Sequence, residues 1–255
     1  GLTMALAKAS SEIGFATNAK TLVDVTQPPE TALELSPVYL PTRELITLCP
    51  WFLSLYDNYH LEFEETWRDT VSLLGAPSVK GPRERRAAQL LQPLEEALGG
   101  KVAMDAKSGR FYLQVPGEGL MEMPLVAEGL RKFAMLARLI STGSLLDKGY
   151  LFWDEPETNL NPKLVRIVAR SIVHLASQGI QVFVATHSLF LLREFEIELD
   201  AHAKQKSPVP TRFFGLHAVD GGVQLDQGDT LPDIGAIIAL EESLRQSDRY
   251  LALGD

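Results

Sequence analysis

Apolar residues recur at helical spacing through much of the first half of the chain. Over residues 44–75 they return every three or four positions, with a break at Asp57, and residues 83–98 continue the pattern up to Gly99. Such spacing predicts amphipathic helices, and glycine commonly follows a helix end. We therefore predict a helical lobe over residues 42–98.

The N-terminal residues give weaker signals. Ala5 to Ile13 is compatible with a helix, and Pro28 and Pro29 indicate a loop. A short apolar run over residues 35–40 ends at Pro41 and is typical of a strand. These are the expectations for the segment that precedes the helical lobe.

Short alternating runs follow the helical lobe. Residues 101–106 and 110–115 alternate on either side of a turn at Gly109, and residues 120–125 form a third apolar run. A period of two is typical of strands with one buried face. We predict a β-hairpin here.

Strands then alternate with helices. In order, the patterns predict a helix over 128–140, a strand over 149–153, a helix over 162–177, a strand over 180–185 and a helix over 189–195. Both strands are continuous apolar runs, the pattern of strands that are buried on both faces of a parallel sheet. This order predicts a right-handed parallel βαβ unit.

The C-terminal region returns to hairpin and helix signals. After a linker over residues 204–210, apolar runs over 212–219 and 223–225 flank a glycine pair, and a helical pattern covers residues 233–247. The whole chain is therefore predicted to be an α/β protein. It would have a mostly parallel core sheet, a helical insertion lobe and β-hairpins at the edges.

Composition and charge narrow the classes of function. The 255 residues are 45% apolar and 22% charged, as in a globular domain, with a net charge of −9 and one cysteine, Cys49. Proteins that grip DNA through phosphates usually have a basic excess, so autonomous DNA binding is disfavoured. The sequence shows no recognisable leader peptide and no apolar segment of membrane-spanning length, and a single cysteine cannot form a disulfide within the chain. We therefore expect a cytoplasmic protein without membrane contact.

Two adjacent carboxylates end the first buried strand. Asp154 and Glu155 would lie at the carboxyl edge of a parallel sheet, where ligands of α/β folds bind. Phosphoryl transfer to water uses such a pair, one carboxylate on Mg²⁺ and the next on the attacking water. Asp154 fits the first role and Glu155 the second. The alternative is an acidic cap for the following helix.

A histidine ends the second buried strand. His187 follows residues 182–185 and would reach the same sheet edge one crossover later. There it could donate a hydrogen bond to a γ-phosphate or to the attacking water, and Thr186 and Ser188 could supply hydroxyl groups. Its position after the Asp-Glu pair favours this role over that of a packed or helix-capping histidine.

These motifs resemble those of a known class of ATPases. LFWDEPETNLNP (151–162) and VATHS (184–188) resemble the Walker B, D-loop and H-loop of ABC-type ATPase heads. The bacterial RecF-like and overcoming-lysogenization-defect-like ATPases are the most similar branch. Residues 125–132 lie where that family has its signature motif. The resemblance covers residues 120–190 firmly.

The resemblance implies a catalytic core over residues 99–255 and a nucleotide held between two heads as a homodimer. Ala127, Glu128, Gly129 and Leu130 would form the signature against the partner's γ-phosphate, and Asn161 would be the polar D-loop residue. Ala127 replaces the usual serine and Asn161 the usual aspartate, which removes one hydroxyl and one charge. Asp154 would hold Mg²⁺, with Glu155 and His187 catalytic and ATP the cofactor.

The phosphate-binding loop that such a head needs is absent from these 255 residues. No G-x-x-x-x-G-K-[ST] motif occurs, and no convincing glutamine loop is present. The missing strand, loop and helix would either precede Gly1 or have been lost.

Three functions stay open at this stage. ATP hydrolysis would drive head dimerisation and so switch a partner, such as a nuclease or toxin effector in phage defence. The alternatives are a scaffold that does not hydrolyse ATP and a RecF-like DNA-repair head.

Overall fold

The computed structural model describes residues 2–6, 9–14, 24–27, 37–59, 61–146, 149–220 and 222–253. The chain forms two compact units, residues 1–36 and residues 37–255. None of the helices in the described ranges has the length and apolar character that a membrane crossing requires.

The first unit contains an antiparallel sheet. Its strands are β1 (Leu2–Leu6), β2 (Ala9–Gly14) and β3 (Asp24–Gln27), in that order. The helix predicted over Ala5–Ile13 is therefore wrong. Pairing with β1 and β3 supplies β2 with backbone hydrogen bonds along both edges, which overrides a weak local helix preference. The loop predicted at Pro28 and Pro29 lies outside the described residues.

The second unit carries the remaining elements. In chain order they are β4 (Val38–Leu40), α1 (Phe52–Tyr59), α2 (Glu65–Gly75), α3 (Pro82–Leu98), β5 (Lys101–Met104), β6 (Phe111–Val115), β7 (Gly119–Glu122), α4 (Glu128–Ser141), β8 (Tyr150–Asp154), α5 (Pro162–Ser177), β9 (Gln181–Ala185), α6 (Leu189–Lys204), β10 (Phe213–Val219), β11 (Gly222–Gly228) and α7 (Ile238–Leu251). Helices and strands mix as the α/β prediction requires.

The central sheet is parallel. Strand β8 lies between β4 and β9 and pairs with both in parallel, so the carboxyl ends of β8 and β9 meet at one edge. The predicted βαβ unit is confirmed. Strands β5, β6 and β7 form a separate antiparallel sheet, and β10 pairs with β11 as a hairpin.

One large apolar core holds the helices against one face of the central sheet. Helices α3, α4 and α5 contribute buried side chains to the cluster that contains Leu151 and Trp153 of β8. Arg138 of α4 is buried as well and donates hydrogen bonds to the carbonyls of Leu74 and Ala76. It thereby fastens the end of α2 to the core.

Two elements differ from their predictions. Strand β9, predicted to be buried, is half-buried along most of its length, because among the described residues it pairs with β8 alone. The C-terminal helix begins at Ile238 rather than near Asp233. Thr230 and Asp233 form a capping box that closes a short 3₁₀ turn, and Gly235 then takes a positive φ of 73°, which interrupts any helix there.

Candidate active site

Asp154 and Glu155 occupy the carboxyl end of β8. The Glu155 N–H donates to the carbonyl of Ala185 at 2.8 Å, and its φ of 43° lies in the left-handed region. This uncommon conformation for a non-glycine residue turns the chain sharply off the strand. The next helix, α5, is capped by Asn161 and has no acidic residue in its first turn. The helix-cap interpretation of the pair is therefore wrong.

The Glu155 carboxylate is held by two side chains. Its Oε1 lies 3.0 Å from Nδ1 of His187, and the Thr158 hydroxyl donates to Oε2 at 3.1 Å. The side chain of His187 is 80% exposed, and that of Glu155 is 34% exposed. The structure thus places the two residues predicted for catalysis in contact, with the histidine open to a ligand.

A buried lysine contacts the backbone of Glu155. Lys132 of α4 is fully buried, and its Nζ donates to the backbone carbonyl of Glu155 at 2.9 Å. Burial lowers the pKa of Lys132 to about 8, against the attraction of Glu157, Glu128, Glu155 and Asp154. Sequence reasoning missed Lys132, although a lysine at a core position of an amphipathic helix is itself a signal.

The hydroxyl groups predicted near His187 are engaged within the chain. Thr186 donates to Oε1 of Glu157 and accepts from the N–H of Ser188, whose own hydroxyl caps α6. The other oxygen of Glu157, Oε2, is buried without a hydrogen-bond partner among the described residues. These side chains order the loop after β9 and leave His187 as its exposed polar group.

The predicted signature residues surround the N-terminus of α4. Ala127 is its N-cap residue, Ala127 and Glu128 are exposed, and Leu130 is half-buried. Arg131 anchors this end of the helix: it donates to the carbonyls of Val126 and Pro124 and pairs with buried Glu44 at 3.1 Å. Neither side chain of this ion pair was singled out from the sequence. Their contact joins residues 87 positions apart.

Gly129 and Asn161 both make contacts within the chain. Gly129 is buried, and a Cβ atom there would lie 2.5 Å from the carbonyl oxygen of Asn159. The close approach that needs this glycine is therefore to Asn159 and Leu160 of the chain itself. Asn161 uses its side-chain oxygen to accept from the Leu164 N–H at 3.0 Å, which leaves its amide NH₂ group as a donor.

Gly129→Ala is expected to destabilise the fold by about 1–3 kcal/mol, because the added methyl must displace backbone rather than a flexible side chain. Chemical denaturation of the variant beside the unmodified chain measures this directly. Gly75→Ala is a matched control, since nothing lies within 4 Å of a Cβ atom at that glycine. Equal stability of Gly129→Ala and the unmodified chain would show that the two segments separate freely.

The acidic residues suit a magnesium ion that is shared with a nucleotide. Among the described residues no group of three or more His, Cys, Asp or Glu side chains could hold a metal alone. Mg²⁺ on a nucleotide normally takes one or two protein carboxylates and completes its shell with phosphate oxygens and water. Half-buried Asp154 at the strand end and the unpartnered Glu157 oxygen give the edge the oxygen donors that this ion prefers.

Comparison with known proteins gives a family and several structural likenesses. The family model described as "AAA domain, putative AbiEii toxin, Type IV TA system" matches residues 32–193, more than half of the chain. No curated protein matches the chain significantly.

Several solved structures resemble the chain at low identity. One, from work on ATP-driven dimerisation and DNA-stimulated activation of SMC ATPases, is 15% identical with a TM-score of 0.44, over 64% of this chain and 91% of that one. The SMC head domain from Thermotoga maritima is 11% identical with a TM-score of 0.44, over 85% and 68%. An ATP-binding cassette of an ABC transporter in its ADP conformation is 11% identical with a TM-score of 0.39, over 83% and 70%.

Proposed function

Because the chain belongs to this family of AAA domains, we propose that it is the catalytic half of an ATP-hydrolysing head, in which Asp154, Glu155 and His187 act together. The observation that carries the proposal is the 3.0 Å contact between His187 and Glu155 beside Asp154 at the carboxyl edge of a parallel sheet. A scaffold that never hydrolysed ATP would have no use for this arrangement.

Each residue has a role that follows from its surroundings. The Glu155 carboxylate accepts the proton of the attacking water and is held in place by His187 and Thr158. His187, mostly exposed, can turn its other ring nitrogen toward the water or the γ-phosphate. Lys132 fixes the backbone of Glu155. Asp154 would hold Mg²⁺, which when bound neutralises charge on the phosphate oxygens.

The N-terminus of α4 suits contact with nucleotide held by a second head. Ala127 and Glu128 are exposed there. The first N–H groups of a helix have no partner within the helix, and together with the helix dipole they favour a phosphate. The partner would be a second copy that shares ATP across a homodimer. Gly129 shapes this surface from behind and does not line it.

Such a head would act as a switch for another protein. ATP-dependent dimerisation would regulate an effector of the toxin or nuclease class, which agrees with the toxin–antitoxin association in the family's description. Two alternatives predict other results. A pseudo-ATPase scaffold would hold its partner without turnover, and a RecF-like repair head would bind DNA, which a net charge of −9 disfavours.

The 255-residue chain by itself is expected to bind ATP only weakly, since it offers carboxylates for Mg²⁺ but no phosphate-binding loop. Calorimetric titration with ATP and Mg²⁺ tests this, and the same titration with a phosphate-binding loop supplied tests the proposed function. Restored binding without any phosphate release would favour the scaffold alternative. Micromolar affinity of the chain alone would require another phosphate site and would contradict the proposal that the chain is only the catalytic half of the head.

A further inference from the structure

The antiparallel sheet β5–β6–β7 has an open edge at β7. Strand β7 pairs with β6 on one side, and no strand of the described residues pairs with its other side. All four residues of β7 are exposed. The N–H and C=O groups along an open edge have no partner strand, so they can bond to a strand of another chain.

Apolar side chains line this open edge. Leu120 on β7 is 64% exposed, and Leu125, just beyond the strand, is 76% exposed. Met121 is also exposed, although Leu113, its partner on β6, is buried. A shallow depression of about 310 Å³ lies against the three exposed side chains. The edge therefore offers apolar surface as well as backbone groups.

Two carboxylates border the same depression. Glu118 and Glu122 line it on either side of Leu120 in the sequence. The Glu118 carboxylate has no partner in the part of the chain that the structure describes. Glu122 lies 3.8 Å from the guanidinium of Arg110, and because both side chains are exposed this pair contributes little. The open edge is therefore acidic and favours a basic partner.

The same carboxylates disfavour a second copy of the chain at this edge. A two-fold antiparallel pairing that set the Leu120 residues of two copies side by side would place Glu118 opposite Glu122 twice. Like charges directly opposite each other destabilise a strand pair. Lysine or arginine at the matching positions of an incoming strand would instead be attracted. Charge therefore favours a different chain as the occupant.

We propose that β7 is a docking edge for an extended segment of a partner protein in which an apolar residue alternates with two basic ones. The segment adds a fourth strand to the sheet. Its backbone bonds to β7, its apolar side chain packs on Leu120 and Leu125, and its two cations meet Glu118 and Glu122. The inference goes beyond the proposed function and does not require ATP hydrolysis.

The docking edge leads directly to the N-terminus of α4. Strand β7 ends at Glu122, and residues 123–126 connect it to Ala127, the N-cap of α4. Met123 and Val126 are buried and hold this connection in the core. A docked strand would therefore lie one short, anchored connection away from the surface proposed to meet the nucleotide of a second head.

The probe for this edge is the fluorescein-labelled peptide Thr-Lys-Thr-Leu-Thr-Lys-Thr, whose side chains alternate as the proposed strand requires. Fluorescence anisotropy with the full chain and no nucleotide is expected to show saturable binding, with a Kd on the order of 100 µM. The same peptide methylated on its backbone nitrogens keeps both charges but cannot donate backbone hydrogen bonds, so it should bind about tenfold more weakly. Equal binding of the two peptides, or no saturable binding, overturns the proposal.

Charge reversal tests where the peptide binds. The double variant Glu118→Lys with Glu122→Lys is expected to lose the lysine peptide and to bind its counterpart with glutamate at both lysine positions. Glu241→Lys with Glu242→Lys on α7 is the matched control, because it makes the same change of charge at exposed residues of another element. Circular dichroism melting checks that both variants fold. An equal loss of the lysine peptide in both would mean that it follows net charge, which overturns the proposal.

Hydrogen exchange distinguishes the other possible occupants of the edge. Amides of residues 119–122 on the open side are expected to exchange quickly in the chain alone and to slow when the peptide binds. Protection that grows with chain concentration would assign the edge to a second copy. Protection at every concentration would assign it to another segment of this chain. Either result overturns the proposal.

Discussion

Glu155→Gln is expected to lower ATP hydrolysis by about 10²–10⁴-fold while nucleotide binding persists, in a form of the protein completed by a phosphate-binding loop. Glutamine keeps the size of the side chain and its contacts with His187 and Thr158, but it cannot accept a proton from water. The ATP-bound dimer should then accumulate. A phosphate-release assay beside size-exclusion chromatography with ATP measures both effects.

Two further variants make this result specific. Asp154→Ala removes the proposed Mg²⁺ ligand and is expected to weaken binding of the Mg·ATP complex itself. Glu196→Gln, at an exposed position of α6, is the control for loss of one negative charge and should hydrolyse ATP at the unmodified rate. If Glu155→Gln also kept the unmodified rate, Glu155 would not be the base and the proposed mechanism would be wrong.

Lys132→Met is expected to remove a pH dependence of stability that the unmodified chain shows above pH 8. The pKa of Lys132 is about 8 in the folded chain and near its ordinary value of 10.5 when unfolded. Below pH 8 both states carry the proton, and burial of the ammonium opposes folding in full. From pH 8 to 10.5 the unfolded state binds more protons at Lys132, so this residue contributes a rise of about 3 kcal/mol in the free energy of unfolding, measured as the difference between the profiles of the two proteins.

Denaturant unfolding in EDTA from pH 7 to 10.5 measures this difference. At pH 7 the methionine variant should be at least as stable as the unmodified chain, because a well-packed apolar side chain replaces a buried charge. Lys163→Met, at an exposed position, is the control. Parallel pH profiles for all three proteins would contradict a buried ammonium at Lys132.

A variant that gains stability in this way would lose a contact needed for function. Without the Lys132 ammonium, the carbonyl of Glu155 has no donor from α4, and the left-handed turn that aims the carboxylate is less firmly held. If Glu155 is the catalytic carboxylate proposed above, the buried cation next to it lowers stability and fixes its position, as expected at functional sites.

The family and the order of the core elements were evident from the sequence. Two apolar runs separated by one helix end in polar residues, the first in Asp154 and Glu155 and the second in His187. Parallel strands separated by a helix bring their carboxyl ends to one edge of the sheet. That rule needs no tertiary detail, so the AAA-family resemblance and the α/β class were predicted, and both are confirmed. The helix bounds of α3 and α5 were predictable too, since glycine and proline mark their ends locally.

Tertiary structure alone decided the rest. The strand β1–β2 pairing replaced a helix at residues 5–13, because hydrogen bonds to partner strands outweigh a weak local propensity. The contacts of Lys132 with Glu155 and of Arg131 with Glu44 join residues distant in sequence, and no periodicity reports them. The sequence of β9 is typical of a buried strand, but only the sheet showed that, among the described residues, β9 pairs with β8 alone. Local pattern sets what a segment can form, and the neighbours that pack against it set what it contacts.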